Sequence, residues 1–169
     1  MSVARAMKSE STRNIDWSVV LEVSGMSRTD IEEAVEIERT TIYSPWSEDM
    51  FRLEIDRQND GLTVFRLEGK LVGYYCFWKI LDEAHLLNLS VHQEFRGKGL
   101  GTFLMDHLQQ VCKSMNISII LLEVAETNYS AMKLYRKSGF VRVGRRKRFY
   151  RDTGDDAILM EKRLKQIYT

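Results

Sequence analysis

The chain has 169 residues, of which 44% are hydrophobic and 29% are charged, and its net charge is +1. This length suits one domain that can bury a core without support from disulfides or a metal. The balanced composition excludes a disordered chain, a collagen and a generally basic nucleic-acid binder. Two cysteines are too few for a disulfide framework and fit a reducing compartment.

The sequence contains no segment typical of membrane insertion or secretion. Its longest apolar run, Leu71 to Trp78, is far shorter than the roughly 20 residues that a membrane span needs. The polar segment Met1 to Asn14 lacks the apolar stretch of a secretory signal. We therefore expect a cytoplasmic protein without a membrane partner, in which residues 1–15 form a flexible extension and residues 16–169 form one domain.

The first third of the chain predicts one strand and two helices. Val19 to Val23 is typical of a strand, and a capping box from Thr29 to Glu32 predicts the start of the first helix. After the break at Pro45, Ser47 is a suitable N-cap for a second, short helix.

The rest of the chain alternates between strand and helix patterns. The expected elements are strands at 63–67, 71–80, 84–91, 117–124, 140–150 and 157–162, and helices at 102–115 and 128–138. The run Ile119 to Leu122 does not alternate, which predicts a strand covered on both faces. Seven strands and about four helices in this order predict a single-domain α/β protein with one mixed sheet.

A glycine-rich segment, Arg96-Gly97-Lys98-Gly99-Leu100-Gly101, lies between a predicted strand and a predicted helix. Glycines allow a ligand to approach the backbone, and a helix N-terminus offers free N–H donors, so phosphate or pyrophosphate is the expected guest. No Ser or Thr follows Lys98 and residue 104 is Leu, which excludes the P-loop and the dinucleotide fingerprint. Taken alone, the segment is equally consistent with a structural turn.

Two motifs together resemble a known family. The strand Leu87-Asn88-Leu89-Ser90-Val91 with its glycine loop, and the segment Leu122 to Phe140 with the pattern L-E-V-x-x-x-N-x-x-A-x-x-L-Y-x-x-x-G-F, resemble the GNAT superfamily of N-acetyltransferases. The resemblance implies a seven-stranded, mostly antiparallel sheet, acetyl-CoA as cosubstrate, and no metal. It also implies that the cofactor contacts Leu89, Ser90, Val91, Arg96, Gly97, Lys98, Gly99, Leu100, Gly101, Thr102 and Asn128.

Acetyl transfer to an amine needs a base and an acid, and two residues of the second motif suit these roles. Glu123 ends a predicted buried strand, where a carboxylate is costly without a function or a partner; the alternative is that it reaches solvent. The phenol of Tyr135 can protonate a departing thiolate, and its ring can also pack in the core. By resemblance, Glu123 accepts the amine proton and Tyr135 donates one.

Further segments resemble the RimI-like branch of the superfamily, which acetylates the N-terminal alanine of a small-subunit ribosomal protein. They are Ser44 to Glu48, Leu81 to Ala84, and Arg145 to Tyr150 followed by Gly154 to Ala157. The resemblance implies the N-terminal peptide of a ribosomal protein as partner. It also implies that Trp46 and Tyr150 form the walls of an acceptor groove.

Other functions remain open. A GNAT enzyme can act on other N-termini, on lysine or on a small-molecule amine, and a chain of this fold can also be a non-catalytic CoA sensor or an RNA-associated module. The presence of both Glu123 and Tyr135 argues against the non-catalytic alternative. Residues 127–151 contain nine Lys or Arg and no acidic residue, and we interpret them as a solvated edge rather than an RNA-binding patch. The three histidines show no metal-ligand spacing, and no direct nucleic-acid partner is expected.

Overall fold

The structure, a computed structural model, describes residues 15–41 and 43–165. Seven strands form one sheet in the order β1-β2-β3-β4-β5-β7-β6. The strands are β1 (Leu21–Gly25), β2 (Leu62–Leu67), β3 (Lys70–Ile80), β4 (Glu83–Val91), β5 (Ile119–Ala125), β6 (Val141–Arg146) and β7 (Ala157–Arg163). Only the β4–β5 pair is parallel, so the expected mixed and mostly antiparallel sheet is confirmed.

Within the described residues the chain forms five α-helices: α1 (Trp17–Val20), α2 (Ile31–Glu38), α3 (Glu48–Asp56), α4 (Leu100–Ser114) and α5 (Tyr129–Lys137). Single 3₁₀ turns span Arg28–Asp30 and Gln93–Phe95. Four of the five helices correspond to the four that the sequence predicts. The fifth, α1, is an addition before the first strand.

The predicted first strand, Val19 to Val23, begins too early in the chain. Val19 and Val20 belong to α1, and the first strand begins only at Leu21. The carboxylate of Asp16 accepts a hydrogen bond from the Ser18 N–H at 3.1 Å, which caps the short helix, and Trp17 is buried. Residues 1–14 lie outside the described residues, so the flexible extension stays a prediction.

The predicted capping box before α2 also lies elsewhere. Instead of the Thr29–Glu32 pair, the carboxylate of Asp30 accepts a hydrogen bond from the Ser27 N–H at 2.7 Å. Asp30 is buried, and an ion pair with Arg66 of β2 stabilises it. This partner lies 36 residues further along the chain, so the local capping pattern could not reveal it.

Two hydrophobic clusters cover the two faces of the sheet. The larger cluster lies under α4 and α5 and includes Leu104, Leu108 and Phe140. The smaller cluster lies under α2 and α3 and includes Ile37 and Phe51. The helices therefore leave part of the second face, next to β5, without a helical cover.

Strand β5 shows the effect of that missing cover. Its burial alternates, with Leu122 and Val124 buried and with Leu121 and Glu123 only half-buried. The apolar run at 119–122 predicted a strand covered on both faces, and this prediction was wrong. One face of β5 borders a cavity instead.

The sheet opens between β4 and β5. These strands share only four register pairs, from Glu83↔Ile119 to Leu86↔Leu122. A bulge then interrupts the pairing of β3 with β4 at Cys76/Phe77, and residues 88–91 of β4 continue to pair with β3. A gap therefore separates the last part of β4 from the last part of β5, and Glu123 is the first residue of β5 beyond the shared register.

No helix in the described part of the chain is long and apolar enough to cross a membrane.

Candidate active site

The gap between β4 and β5 opens into a cavity of about 860 Å³. Residues from β4, β5, β6, α5 and the segment between α2 and α3 line it. Six polar or aromatic lining residues define its chemistry: Glu38, Trp46, Asn88, Glu123, Tyr135 and Tyr150. Four of these are residues that the sequence singled out, so the fold brings the predicted base, acid and groove walls to one place.

Glu123 lies in the wall of this cavity with 29% of its side chain exposed. Its Oε1 lies 3.1 Å from Nη1 of Arg146, which reaches across from β6. Glu123 therefore reaches the cavity, and the alternative of a strand-end glutamate directed only at bulk solvent is not what the structure shows.

Tyr135 is buried in α5 and both borders the cavity and belongs to the core. Its ring centroid is 5.8 Å from that of Phe140, and burial raises the pKa of its phenol, with a smaller contribution from Tyr150. Burial also raises the pKa of Tyr150 to about 12, and the negative charge of Glu123 adds to that shift. Both phenols therefore stay protonated near neutral pH. Tyr150 interacts electrostatically with both Tyr135 and Glu123.

The glycine loop turns directly into α4. Gly97 (φ +71°) and Gly99 (φ +82°) have left-handed backbone conformations, which residues other than glycine rarely adopt. Gly99 is the N-cap of the 15-residue helix α4. Leu100 is buried, and Gly101 and Thr102 complete the first turn. The exposed N–H groups at this end suit the phosphates of acetyl-CoA.

Two side chains fix the loop to the rest of the molecule. The Arg96 guanidinium donates from Nε to the Val91 carbonyl at 2.9 Å and from Nη2 to Thr40 Oγ1 at 2.7 Å. The indole of Trp17 donates to the Lys98 carbonyl at 3.1 Å. The structure thus gives Arg96 a role in holding the loop against β4, and its predicted contact with the cofactor stays a prediction.

Gly101 faces the space between β4 and α5. A Cβ placed there would lie 3.4 Å from Leu134 Cδ2 and 3.9 Å from Val91 Cγ2. We expect Gly101→Val to abolish acetyl-CoA binding, because the added methyl groups would displace Leu134 or Val91 at the edge of the gap. Calorimetric titration of the folded variant with acetyl-CoA measures the effect.

Gly25→Ala is the matched control, since a Cβ at Gly25 meets only the Leu62 carbonyl at 4.0 Å. The control is expected to bind acetyl-CoA with unchanged affinity. If folded Gly101→Val also binds with unchanged affinity, the phosphates do not lie at this loop.

Glu38 is a cavity residue to which the sequence assigned no role. It is only 2% exposed, yet its carboxylate accepts hydrogen bonds from the Trp46 N–H (2.8 Å), the Tyr74 hydroxyl (2.7 Å), Ser90 Oγ (2.7 Å) and Asn88 Nδ2 (3.3 Å). Four donors satisfy the buried charge. Burial and the charge of Glu38 raise the pKa of Tyr74 well above its ordinary value, so this phenol stays a donor.

The Glu38 network connects both halves of the site. It ties the end of α2 and the start of the Trp46 segment to β3 and to the part of β4 that borders the gap. In the sequence, Glu38 follows Ile31, Ala34 and Val35 at the spacing of one helix face, and a charged residue on that mostly apolar face was the available signal. The side chain of Ser90, which the sequence analysis named only as a cofactor contact, takes part in this network.

The remaining predicted residues lie at the cavity with structural partners of their own. The Asn128 carboxamide oxygen caps α5 by accepting a hydrogen bond from the Ala131 N–H at 3.3 Å. The Trp46 ring packs on Phe51 with centroids 5.3 Å apart, and the Tyr150 ring meets Tyr43 at 6.4 Å. The expected walls of the groove therefore lie at one cavity, and their contact with a substrate stays a prediction.

The basic segment at 127–151 is partly neutralised within the fold. Arg145 forms ion pairs with Glu126, at 2.9 Å, and with Asp156, while Arg146 pairs with Glu123. These pairs favour the interpretation as a solvated edge. In the part of the chain that the structure describes, no cluster of three or more His, Cys, Asp or Glu could hold a metal ion.

An open sheet, a glycine loop at a helix N-terminus, and a carboxylate and a phenol that line one cavity are the features expected of an acyl-CoA-dependent transferase. A family model described as "Acetyltransferase (GNAT) family" matches residues 31–140. The chain belongs to this acetyltransferase family and is an enzyme.

Relatives extend the match over most of the chain. The [ribosomal protein bS18]-alanine N-acetyltransferase of Escherichia coli (strain K12) is 32% identical over 142 residues, which cover 82% of this chain and 94% of the relative. The crystal structure of the ribosomal-protein-S18-alanine N-acetyltransferase from Escherichia coli superposes with a TM-score of 0.76 at 28% identity, covering 88% and 96%. The structure of Ard1 from Thermoplasma volcanium gives a TM-score of 0.81 at 26% identity, covering 87% and 99%.

Proposed function

We propose that the chain transfers the acetyl group of acetyl-CoA to the N-terminal α-amine of an alanine in a ribosomal protein, in the cytoplasm where such proteins are made. The position of Glu123 carries this proposal, since it is the first residue of β5 beyond the register shared with β4 and lines the same cavity as Trp46 and Tyr150. The name of the Escherichia coli relative supports the choice of alanine and of bS18 as acceptor.

The acceptor amine must lose its proton before it can attack. An α-amino group with a pKa of about 8 is roughly one-tenth neutral at pH 7, so a modest base is sufficient. We propose that Glu123 accepts the proton, directly or through a water molecule. Arg146, 3.1 Å away, holds the carboxylate in place beside the cavity.

The thioester carbonyl of acetyl-CoA supplies the electrophile. The segment from Leu89 to Val91 lies beyond the shared register of β4 and β5, and we propose that a backbone N–H group of this segment donates to the oxygen that becomes negative during attack. Glu38 accepts a hydrogen bond from Ser90 in the same segment and so fixes the strand edge on which this donation depends. Preorganised donors of this kind need no rearrangement as charge develops.

Tyr135 is the proposed proton donor to the leaving thiolate. Its burial keeps the phenol neutral at physiological pH, so a proton is present when the C–S bond breaks. The thiolate takes this proton and leaves as a neutral thiol, and the phenolate left on Tyr135 regains a proton from the amine, which must lose its remaining N–H proton as the amide forms.

The need for a neutral amine favours an α-amine over a lysine side chain. A lysine with a pKa of about 10.4 is neutral in less than about one part in a thousand at pH 7. It would also have to thread its long stem between Trp46 and Tyr150.

Competition between two peptides that differ only at the N-terminus and at one internal position tests the proposal. One peptide has a free N-terminal alanine and no lysine, and the other has a blocked N-terminus and one internal lysine. We expect mass spectrometry to find acetyl only on the free alanine peptide. Preferential acetylation of the blocked peptide would instead identify a lysine-modifying enzyme, and acetylation of neither would favour a small-molecule amine or a non-catalytic role.

A further inference from the structure

The cavity lining includes four large apolar side chains that the rest of the described chain leaves partly exposed. They are Met50 and Leu53 of α3, Trp78 of β3, and Leu87, which follows the last residue that β4 shares with β5. Each is between 37% and 50% exposed. Adjacent exposed apolar residues in a cavity are typical of a binding site, and we name these four residues the apolar floor.

The polar groups around the apolar floor are already paired with each other. The Trp78 indole donates to Glu54 Oε2 at 2.8 Å, and the Arg57 guanidinium lies 5.3 Å from the centre of the indole ring. Arg57 and Asn59 donate to the two oxygens of Glu54 at 2.9 Å and 2.8 Å. This arrangement fixes the indole of Trp78. Because the indole N–H is already bonded, the apolar floor can offer a ligand only apolar contacts.

The strand register gives the separation between the apolar floor and the predicted base. Trp78 is paired with His85, which in turn is paired with Leu121, two residues before Glu123. With strands about 4.8 Å apart and a rise of about 3.3 Å per residue, the Cα atoms of Trp78 and Glu123 are about 12 Å apart. An extended peptide covers that distance in three to four residues.

We propose that the apolar floor binds one large apolar side chain at the third or fourth residue of the acceptor polypeptide. The inference rests on the proposed function, because an α-amine beside Glu123 is the start of a polypeptide whose next residues must lie close by. The floor and Glu123 line one cavity, so the occupant of the floor is the acceptor chain itself. The enzyme thereby selects its substrate at a position remote from the acetylated residue.

A set of peptides with a single leucine at different positions tests the subsite. Each peptide begins with alanine, continues with serine and glycine, and carries the leucine at position 2, 3, 4, 5 or 6. We expect KM to be about 10-fold lower with leucine at position 3 or 4 than in the all-polar peptide, which corresponds to burial of part of one apolar side chain. The value of kcat should change little, since the contact lies far from the reacting atoms.

Substitutions on α3 test whether the apolar floor is the cause. Leu53→Ser and Met50→Ser change exposed positions, so the fold should persist, and both should remove most of the preference for leucine at position 3 or 4. Leu81→Ser is the matched control, because Leu81 is 87% exposed and lies in the turn between β3 and β4, outside the cavity lining. The control should retain the preference in full.

Two outcomes separate the subsite from the function on which it rests. Equal KM for all leucine positions, or a preference that survives in both Leu53→Ser and Met50→Ser, overturns the subsite and leaves α-amine acetylation standing. Failure to acetylate any of the peptides overturns both proposals together.

Discussion

Glu123→Gln is expected to lower kcat for an N-terminal alanine peptide by about 10²- to 10³-fold at neutral pH, the usual range for loss of a general base. The loss should be largest at low pH, where the amine is almost entirely protonated and needs a base. It should shrink as the pH rises past about 8, because free amine then forms without help. Steady-state rates of the variant and the unchanged enzyme from pH 6 to 9 measure this ratio.

Glu126→Gln is the matched control for this substitution. Glu126 lies three residues further along, pairs with Arg145 and is absent from the cavity lining. It is expected to keep the rate and pH profile of the unchanged enzyme. A rate for Glu123→Gln that stays near that of the unchanged enzyme at every pH would remove Glu123 from the role of base.

Tyr135→Phe is expected to lower kcat by about 10²-fold while leaving the Kd for acetyl-CoA nearly unchanged. The substitution removes only the hydroxyl and keeps the ring that packs against Phe140, so the core stays filled. Since burial raises the pKa of Tyr135, its phenol stays protonated throughout pH 6 to 9. The loss should therefore not depend on pH in this range, unlike the loss in Glu123→Gln.

Tyr129→Phe provides the control on the same helix, because Tyr129 is 75% exposed and does not line the cavity. Single-turnover rates and acetyl-CoA titrations of both variants separate chemistry from binding. A Tyr135→Phe enzyme with an unchanged kcat would leave Tyr135 with a packing role alone, and it would make Tyr150 the next candidate for the acid.

The sequence correctly predicted turns and helix starts that depend only on neighbouring residues. The turn at Glu68-Gly69 between β2 and β3 and the Ser47 cap of α3 are decided by residues within a few positions of each other. The glycine loop was placed correctly at the start of α4 because Gly97 and Gly99 must adopt left-handed conformations there. Glu123 and Tyr135 could be found because one motif contains both.

Features that depend on distant partners escaped the sequence. Glu38 is bound by Tyr74 and Ser90, which lie 36 and 52 residues further along the chain. Helix α1 is held in part by the contact of Trp17 with the Lys98 carbonyl, 81 residues away. The apolar run of β5 does not reveal which of its faces a helix covers, so the open face at Leu121 and Glu123 could not be predicted from composition.

The short shared register of β4 and β5 has a consequence for the cohesion of the molecule. Four residue pairs join β1–β4 to β5–β7, so the sheet consists of two leaves, and the hydrogen-bonding groups at the edge of one leaf face the gap. The pantetheine arm of acetyl-CoA carries amides that can bond to that edge, as a short extra strand would. We expect bound acetyl-CoA to join the two leaves in this way, so that the folded population rises with its concentration by mass action.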